Sequence, residues 1–395
     1  MPRTADAVVI GGGVMGASIA FHLARAGIRP LILERFKVAS QSTGRSGALV
    51  RMHYTNVPEA SMAIASFPTF RAWHDRVGTG DCSFTRTGFA VLVGPEQVER
   101  LGRNTQRLAG LGVATQVLTG DRMADALKGM RLDGVAAAAF EPESGYADPV
   151  ATTQGFIAGA KDRGALLEEG CRVRAISVEH GRVEGVLTEG GPIASPLVFS
   201  AAGCFSEPLL KTAGVSVSVR PSRAQLAFFS RPSGLRQGHP TFIDTVLGMY
   251  GRPHGDGTTL VGVGEVEKKT ADPENFEQLN DASYIEAAGR RAAARFEDFD
   301  PAGYVRGHAG LYDMSLDTRA LIGPAPGVQG LYVAAGFSGT GFKKSPAVGA
   351  CLAELITEGR SRTADIHPFR LTRFMENQPI TGDEYELPGH FGHRL

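Results

Sequence analysis

The sequence is short of cysteine, has one tryptophan, carries no net charge and contains no long apolar run. Four of its 395 residues are cysteine: Cys82, Cys171, Cys204 and Cys351. They lie far apart, with no C-x-x-C pair and no Cys/His cluster, which excludes a disulfide framework and a cysteine-based metal site. Reduced thiols fit a cytoplasmic protein. The 41 basic and 41 acidic residues cancel, which argues against nucleic acid bound through a global basic field. No apolar run approaches the ~20 residues of a membrane span. The apolar start AVVIGGGVMG lies too near the N-terminus, and holds too many glycines, for a signal peptide. The expectation is a cytoplasmic protein with no metal, no nucleic-acid partner and no membrane span.

What is present is an ordinary apolar fraction of 43% and a charged fraction of 21%, the balance of a globular chain. The length suggests two or three domains at about 150 residues each. Glycine is abundant, 51 residues, without a three-residue period, as in a chain with many tight turns and close backbone–ligand approaches.

Residues 6–10, DAVVI, read as a buried strand, 14–26 as a helix ended by Gly27, and 31–34, LILE, as a second strand. That is a βαβ unit within about 30 residues. Further helices are predicted over 58–77, 95–111, 149–163, 281–297 and 344–358. A small meander is predicted from strands near 171–178, 182–188 and 196–200. Residues 215–263 are β-rich, and strands recur near 305–311 and 331–334. The pattern is a dinucleotide domain in discontinuous segments with a β-rich domain inserted. The tail, 375–395, shows no clear element.

Gly11, Gly13 and Gly16 fill G-x-G-x-x-G directly between strand and helix. Gly11 allows the tight turn, Gly13 lets backbone approach a pyrophosphate, and Gly16 lets helix and strand pack closely. The helix start offers free N–H groups and a positive dipole end. Glu34, closing the second strand, is placed to accept from a ribose 2′-OH and disfavours a 2′-phosphate. This pattern does not separate NAD from FAD.

Four further stretches do. STGRSGALVRMHY at 42–54, SGYADPVATTQGFIAGAKDRGA at 144–165, LVFSAAGCFS at 197–206, and GLYDMSLDTRALIG with GLYVAAGFSGTGFKKSPAVG over 310–349 resemble the D-amino-acid-oxidase-like flavoproteins, in the sarcosine oxidase, dimethylglycine dehydrogenase and glycine oxidase branch. The resemblance covers the chain to about residue 374. It implies an α/β fold with an α+β insert: a Rossmann-type FAD-binding domain from 1–77, 144–214 and 306–374, and a β-sheet substrate domain from 78–143 and 215–305. It further implies oxidation of the C–H beside the nitrogen of an amine or amino acid, with hydride passing to flavin N5 and an imine left to hydrolyse. Oxygen or another acceptor, including a partner subunit, would take the electrons. A 2-hydroxy-acid oxidase and a tRNA-modifying module remain alternatives of the same fold.

Carried over residue by residue, the family's pattern puts the ADP half of FAD on Gly11, Gly13, Met15, Gly16, Glu34 and Arg35. The flavin approach falls on Ser42, Thr43, Arg45 and Ser46. Val173 matches the adenine-contacting strand, and Ala202 and Gly203 the contact near the ribose. Gly336, Ser338, Gly339, Thr340 and Gly341 match the loop against the flavin. Arg51 and Lys343 match the pair that holds a substrate carboxylate in the sarcosine oxidase branch, with Lys344 an alternative to Lys343. Tyr250 and Arg252 match positions over the flavin, Arg252 as a second carboxylate anchor. His53, Tyr54, His308 and Tyr312 are weaker candidates for the pocket wall, and Trp73 is read as core. Two departures stand out. Gly310 occupies the place of the cysteine that attaches FAD covalently in monomeric sarcosine oxidases, so FAD is expected to be held non-covalently. Thr259 or Leu260 falls where oxidases carry a lysine, and Lys268 and Lys269 come too late in the sequence to replace it unless the strand is bulged.

Overall fold

The structure, a computed structural model, describes residues 3–264 and 271–382. Lys268, Lys269 and the end of the tail lie outside the described residues.

The first strand, Ala7–Ile10, sits near the middle of a six-stranded sheet. Across the sheet the strands run Leu166–Glu169, Pro30–Glu34, Ala7–Ile10, Val198–Ser200, Leu331–Ala335 and Leu321–Pro324. All are parallel except the last. Ala7, Val9 and Ile32 pack with Ala17, Phe21, Phe156, Val348 and Leu352 of the helices Val14–Arg25, Pro149–Lys161 and Ser345–Glu358. Val8, Ile10, Leu31 and Leu33 face the other way, onto Ile176, Val186 and Ile193 of a small four-stranded sheet. Apolar residues on both faces are what a parallel sheet covered on both sides requires.

The meander differs from expectation. Val173–Glu179 and Arg182–Thr188 pair antiparallel, and Gly191–Ala194 is the third strand. Val198–Ser200 instead enters the parallel sheet, where all three residues are buried. The helix expected over 58–77 ends at Arg71. Ala72 leaves helical geometry, and a separate turn, Trp73–Arg76, follows. Trp73 is buried against Phe156, as a core residue, and its indole N–H donates to the Thr79 carbonyl. The helix expected over 95–111 begins as a short 3-10 turn, Pro95–Gln97, and continues as Val98–Gly110.

The second large sheet has eight strands, from Tyr304–Ser315 at one edge through Val219–Ser230, Thr258–Val263, Met249–Pro253, Thr241–Asp244, Phe89–Val93 and Ala137–Glu141 to Gln116–Leu118. Helix Ala282–Arg295 covers one face through Tyr284, Ala288 and Ala292. The other face, carrying Leu226, Phe228, Leu260 and Tyr250, turns toward the carboxyl ends of the parallel strands. The candidate site lies between the two sheets. Among the described residues no helix is long and apolar enough to cross a membrane. Nor does any group of three or more His, Cys, Asp or Glu side chains converge as a metal site there.

Helices Val14–Arg25 and Ser345–Glu358 both start at this site and touch where Gly349 meets Ser18. A Cβ on Gly349 would stand 2.6 Å from the Ser18 carbonyl oxygen and closer still to its hydroxyl, which donates to the Ser345 carbonyl. Helix propensity alone would make Gly349→Ala stabilising by about 1 kcal/mol. Overpacking costs about 1–3 kcal/mol. The variant is expected to be less stable than the parent in urea titration and to lose flavin at lower urea. A gain in stability would show that the two helices part without cost.

Candidate active site

The cleft has a volume of about 630 Å³, within the ~300–1,000 Å³ of ligand pockets. It opens where the sheet order reverses between Ala7–Ile10 and Val198–Ser200, the place at which open α/β sheets bind ligands. Gly11 has φ +108°, and a Cβ there would collide with the Ala201 carbonyl. A Cβ on Gly16 would collide in turn with the Gly11 carbonyl. Gly16 therefore acts by packing and does not line the cleft, whereas Gly11, Gly13 and Met15 do. Helix Val14–Arg25 has no acidic residue in its first turn and no side-chain cap, so its positive end is left for an anion. Thr43 reaches it, accepting from Val14 N at 3.1 Å.

Glu34 is buried and accepts from Gly12 N at 2.6 Å and Phe36 N at 2.7 Å, one bond to each oxygen. Each oxygen keeps a second lone pair. Arg35 lines the cleft while paired with Glu274, which also holds Arg172. Val173, Ala202 and Gly203 line the same end. Ser42 donates to the Leu311 carbonyl, Arg45 to Gln41 and Gln278, and Ser46 accepts from Ala48 N. All three line the middle of the cleft.

At the far end Gly339, Thr340, Gly341 and Lys343 form one wall. The amides of Gly339 and Gly341 have no acceptor among the described residues. Gly336 and Ser338 do not line the cleft. Both have positive φ, and the Ser338 hydroxyl donates to the Gly336 carbonyl, so they shape the loop from behind. A dinucleotide fits these groups: a helix start with no acidic residue in its first turn, a buried carboxylate that accepts, and a glycine loop with free amides.

Arg51 and Lys343 come together here, both buried and both lining the cleft. The Arg51 guanidinium stacks on Tyr54 at 4.4 Å and lies 5.4 Å from Phe89, and its Nη1 donates to the His53 carbonyl. Its Nε has no hydrogen-bond partner among the described residues. Behind it, buried Glu141 accepts from Met52 N and the Ser144 hydroxyl, and burial pushes its carboxyl pKa up. His53 faces away from the cleft, with its Nε2 3.0 Å from the Asn104 amide. Burial, then Arg51 and Arg107, push it down to about 3, so it is neutral.

Lys343 has no acceptor of its own among the described residues. Burial, followed by Arg51 and Lys344, holds its pKa well below the ordinary lysine value. Lys344 points the other way, to Glu59 at 2.6 Å and the Thr340 hydroxyl at 2.7 Å. Tyr250 lines the cleft, and Gly262 makes room for its ring. Arg252 does not reach the cleft. Its guanidinium donates to the Gly47 and Pro253 carbonyls at 2.6 and 3.0 Å and lies over Tyr146, bracing the loop below the flavin-approach segment.

Residues 6–355 match the family described as "DAO: FAD dependent oxidoreductase". The chain belongs to the DAO family of FAD-dependent oxidoreductases. Its relatives include the bovine FAD-dependent oxidoreductase domain-containing protein 1, 27% identical over 94% of this chain and 85% of that one. Glycine oxidase of Geobacillus kaustophilus is 27% identical over 94% and 98%. Human mitochondrial sarcosine dehydrogenase is 26% identical over 95% of this chain but 42% of its own length. The crystal structure of L-proline dehydrogenase from P. horikoshii superposes with a TM-score of 0.87 at 26% identity, covering 96% of this chain and all of that one. FAD is thus the cofactor of this DAO-family enzyme.

Two buried acids, one lining the cleft and one beneath it, carry no clear signal in the sequence. Asp313 lines the cleft, and burial pushes its carboxyl up to about 6 against the pull of the Phe337, Gly336 and Ser338 amides. Glu59 lies beneath the glycine loop. Asn56-x-x-Glu59 at a helix start was the available signal, since it is a capping pattern. Asn56 Oδ1 does accept from Glu59 N, but the Glu59 side chain turns into the core.

A carboxyl whose folded pKa is raised is favoured in its protonated form. Its contribution to stability is fully present below about pH 4 and lost as pH rises through about 6. Asp313→Asn apoprotein should therefore gain Tm relative to the parent between about pH 4 and 6, then hold that gain. Melting curves across this range check it, and a difference independent of pH would place the Asp313 carboxylate in solvent.

Proposed function

We propose that this enzyme oxidises the C–H next to the nitrogen of a secondary amine or amino acid that bears a carboxylate. The observation that carries the reading is the pair of buried cations, Arg51 and Lys343, on one cavity wall with no protein carboxylate assigned to Lys343. Two cations in a site of low dielectric call for an anion. The names of its relatives agree: sarcosine, glycine and L-proline each carry a carboxylate one carbon from the amine.

FAD would lie along Gly11–Met15, Glu34, Ser42–Ser46 and Gly339–Gly341, and when bound supplies a two-electron acceptor for the hydride. The chain's own residues do the rest. Arg51 and Lys343 fix the carboxylate and so aim the neighbouring C–H. Tyr250 and Tyr312 form part of the cavity wall. The imine left behind hydrolyses with bulk water. No side chain here is assigned as general base.

Arg51→Met and Lys343→Met are each expected to lose about 2–5 kcal/mol of substrate interaction, roughly 30- to several-thousand-fold in kcat/KM on the acid. The decarboxylated amine should lose little, and FAD content should stay near normal. Equal losses on both substrates would mean that these residues shape the flavin site and do not read a carboxylate. Acid affinity should also fall, by at most tenfold per pH unit, above the pKa of Lys343 in the free enzyme, because a neutral amine must first take up a proton.

Two expectations concern the flavin. Gly310 lies against Arg45, and the two cysteines that line the cleft, Cys171 and Cys204, are free, with thiols pushed up by burial and so poorly nucleophilic. We therefore expect acid precipitation to release the yellow colour to the supernatant. Colour left in the pellet would show a covalent link. On the strand Thr258–Val263, Leu260 and Gly262 oppose Arg252 and Tyr250, and Thr259 turns away to His239. With no cation on that strand to stabilise developing superoxide, peroxide should form more slowly than an artificial dye is reduced. Equal rates would show that another group serves oxygen.

A further inference from the structure

Beneath the glycine loop lies a cluster of charges that the reaction does not use directly. Glu59, on helix Val57–Arg71, is fully buried, and Lys344 and Arg319 are each 1% exposed at the side chain. Glu59 Oε1 lies 2.6 Å from Lys344 Nζ, and Oε2 lies 2.8 Å from Arg319 Nε and 2.9 Å from the Asn56 amide. Lys344 also donates to Thr340 at 2.7 Å, so the carboxylate is tied through one lysine to the loop that lines the cleft. The cluster holds two cations and one anion.

It is continuous with the substrate wall through Tyr54. That single ring has Arg51 at 4.4 Å, Lys344 at 4.9 Å and Lys343 at 5.9 Å from its centroid. Four cations thus crowd together, and Glu59 is the carboxylate bonded to two of them. Glu141 stands behind Arg51. The charged groups acting on Lys343 are Arg51 on the loop after Leu49–Val50, Lys344 on the same turn, and Glu59 on the helix Val57–Arg71.

Resting on the carboxylate reading above, we propose that Glu59 is a positioning residue for substrate binding: it captures Lys344, anchors the 340–344 turn, and so presents the adjacent Lys343 to the cavity with its charge supported. Of two consecutive lysines, the one that meets Glu59 is withdrawn and the other is displayed. Removing the Glu59 charge adds one uncompensated cation to the cluster, which disfavours the protonated form of Lys343. Removing the Lys344 charge does the reverse. Removing both restores the original sum.

The test uses the holoenzyme and acetate, which has the carboxylate and no amine to oxidise. Binding is followed by the change in flavin absorbance across pH. In Glu59→Gln the pH above which acetate binding weakens should move down, giving about tenfold or more weaker binding at a pH between the two thresholds. In Lys344→Met it should move up, and in the double variant it should return near the parent's. Methylamine binding should change little in all three. If Glu59→Gln fails to fold, the upward shift in Lys344→Met and its reversal in the double variant still decide. Thresholds that do not move, or that move the same way in both single variants, would overturn the proposal. Acetate binding unchanged in Lys343→Met would overturn the carboxylate reading instead.

Discussion

The close approach of Gly11 to Ala201 governs the geometry of the whole site. Two parallel strands diverge there, and only a residue without a side chain lets the backbone turn at φ +108° against a carbonyl. Gly16 then seats the first helix on that turn, and Gly349 seats the last helix on the first. Three contacts between bare backbone and its neighbours bring two helix starts to one edge of one sheet. The glycine turn and the Gly339–Gly341 loop, at the two ends of the cleft, are consequently built on the same sheet edge.

The site's electrostatics follow from the same compactness. Arg51, Lys343, Lys344 and Arg319 are carried on three separated stretches of chain, yet all are buried within reach of Tyr54 or Glu59. Burying cations without matching anions is costly, and a folded chain accepts that cost where a ligand completes the balance. Glu59 answers part of it. The part left unanswered, Arg51 and Lys343, faces the cavity.

The βαβ start was legible because its signals are local. A buried strand, a glycine turn, an apolar helix and a closing acid follow one another within 34 residues, and each is set by its neighbours in sequence. The long strands of the second sheet were legible as β-rich stretches, though not their order. The sequence points Val198–Ser200 to the wrong sheet because three residues carry no period, and only burial between two parallel neighbours distinguishes the cases. The break at Ala72 was illegible for a similar reason: it depends on how Trp73 packs against Phe156.

The sequence by itself determined the class of cofactor domain, the glycines that shape the phosphate turn, and the candidate cations in the loops that carry them. It could not decide which of Lys343 and Lys344 enters the cleft, whether Arg252 points into it, that Asp313 lines it, or that Glu59 lies beneath it. Those outcomes turn on where a side chain finds its partner: Glu59 for Lys344, the Gly47 carbonyl for Arg252, and the Gly336–Ser338 amides for Asp313. Each partner is distant along the chain or on another element. Such pairings are set by the packing of sheets against helices, which no local pattern encodes.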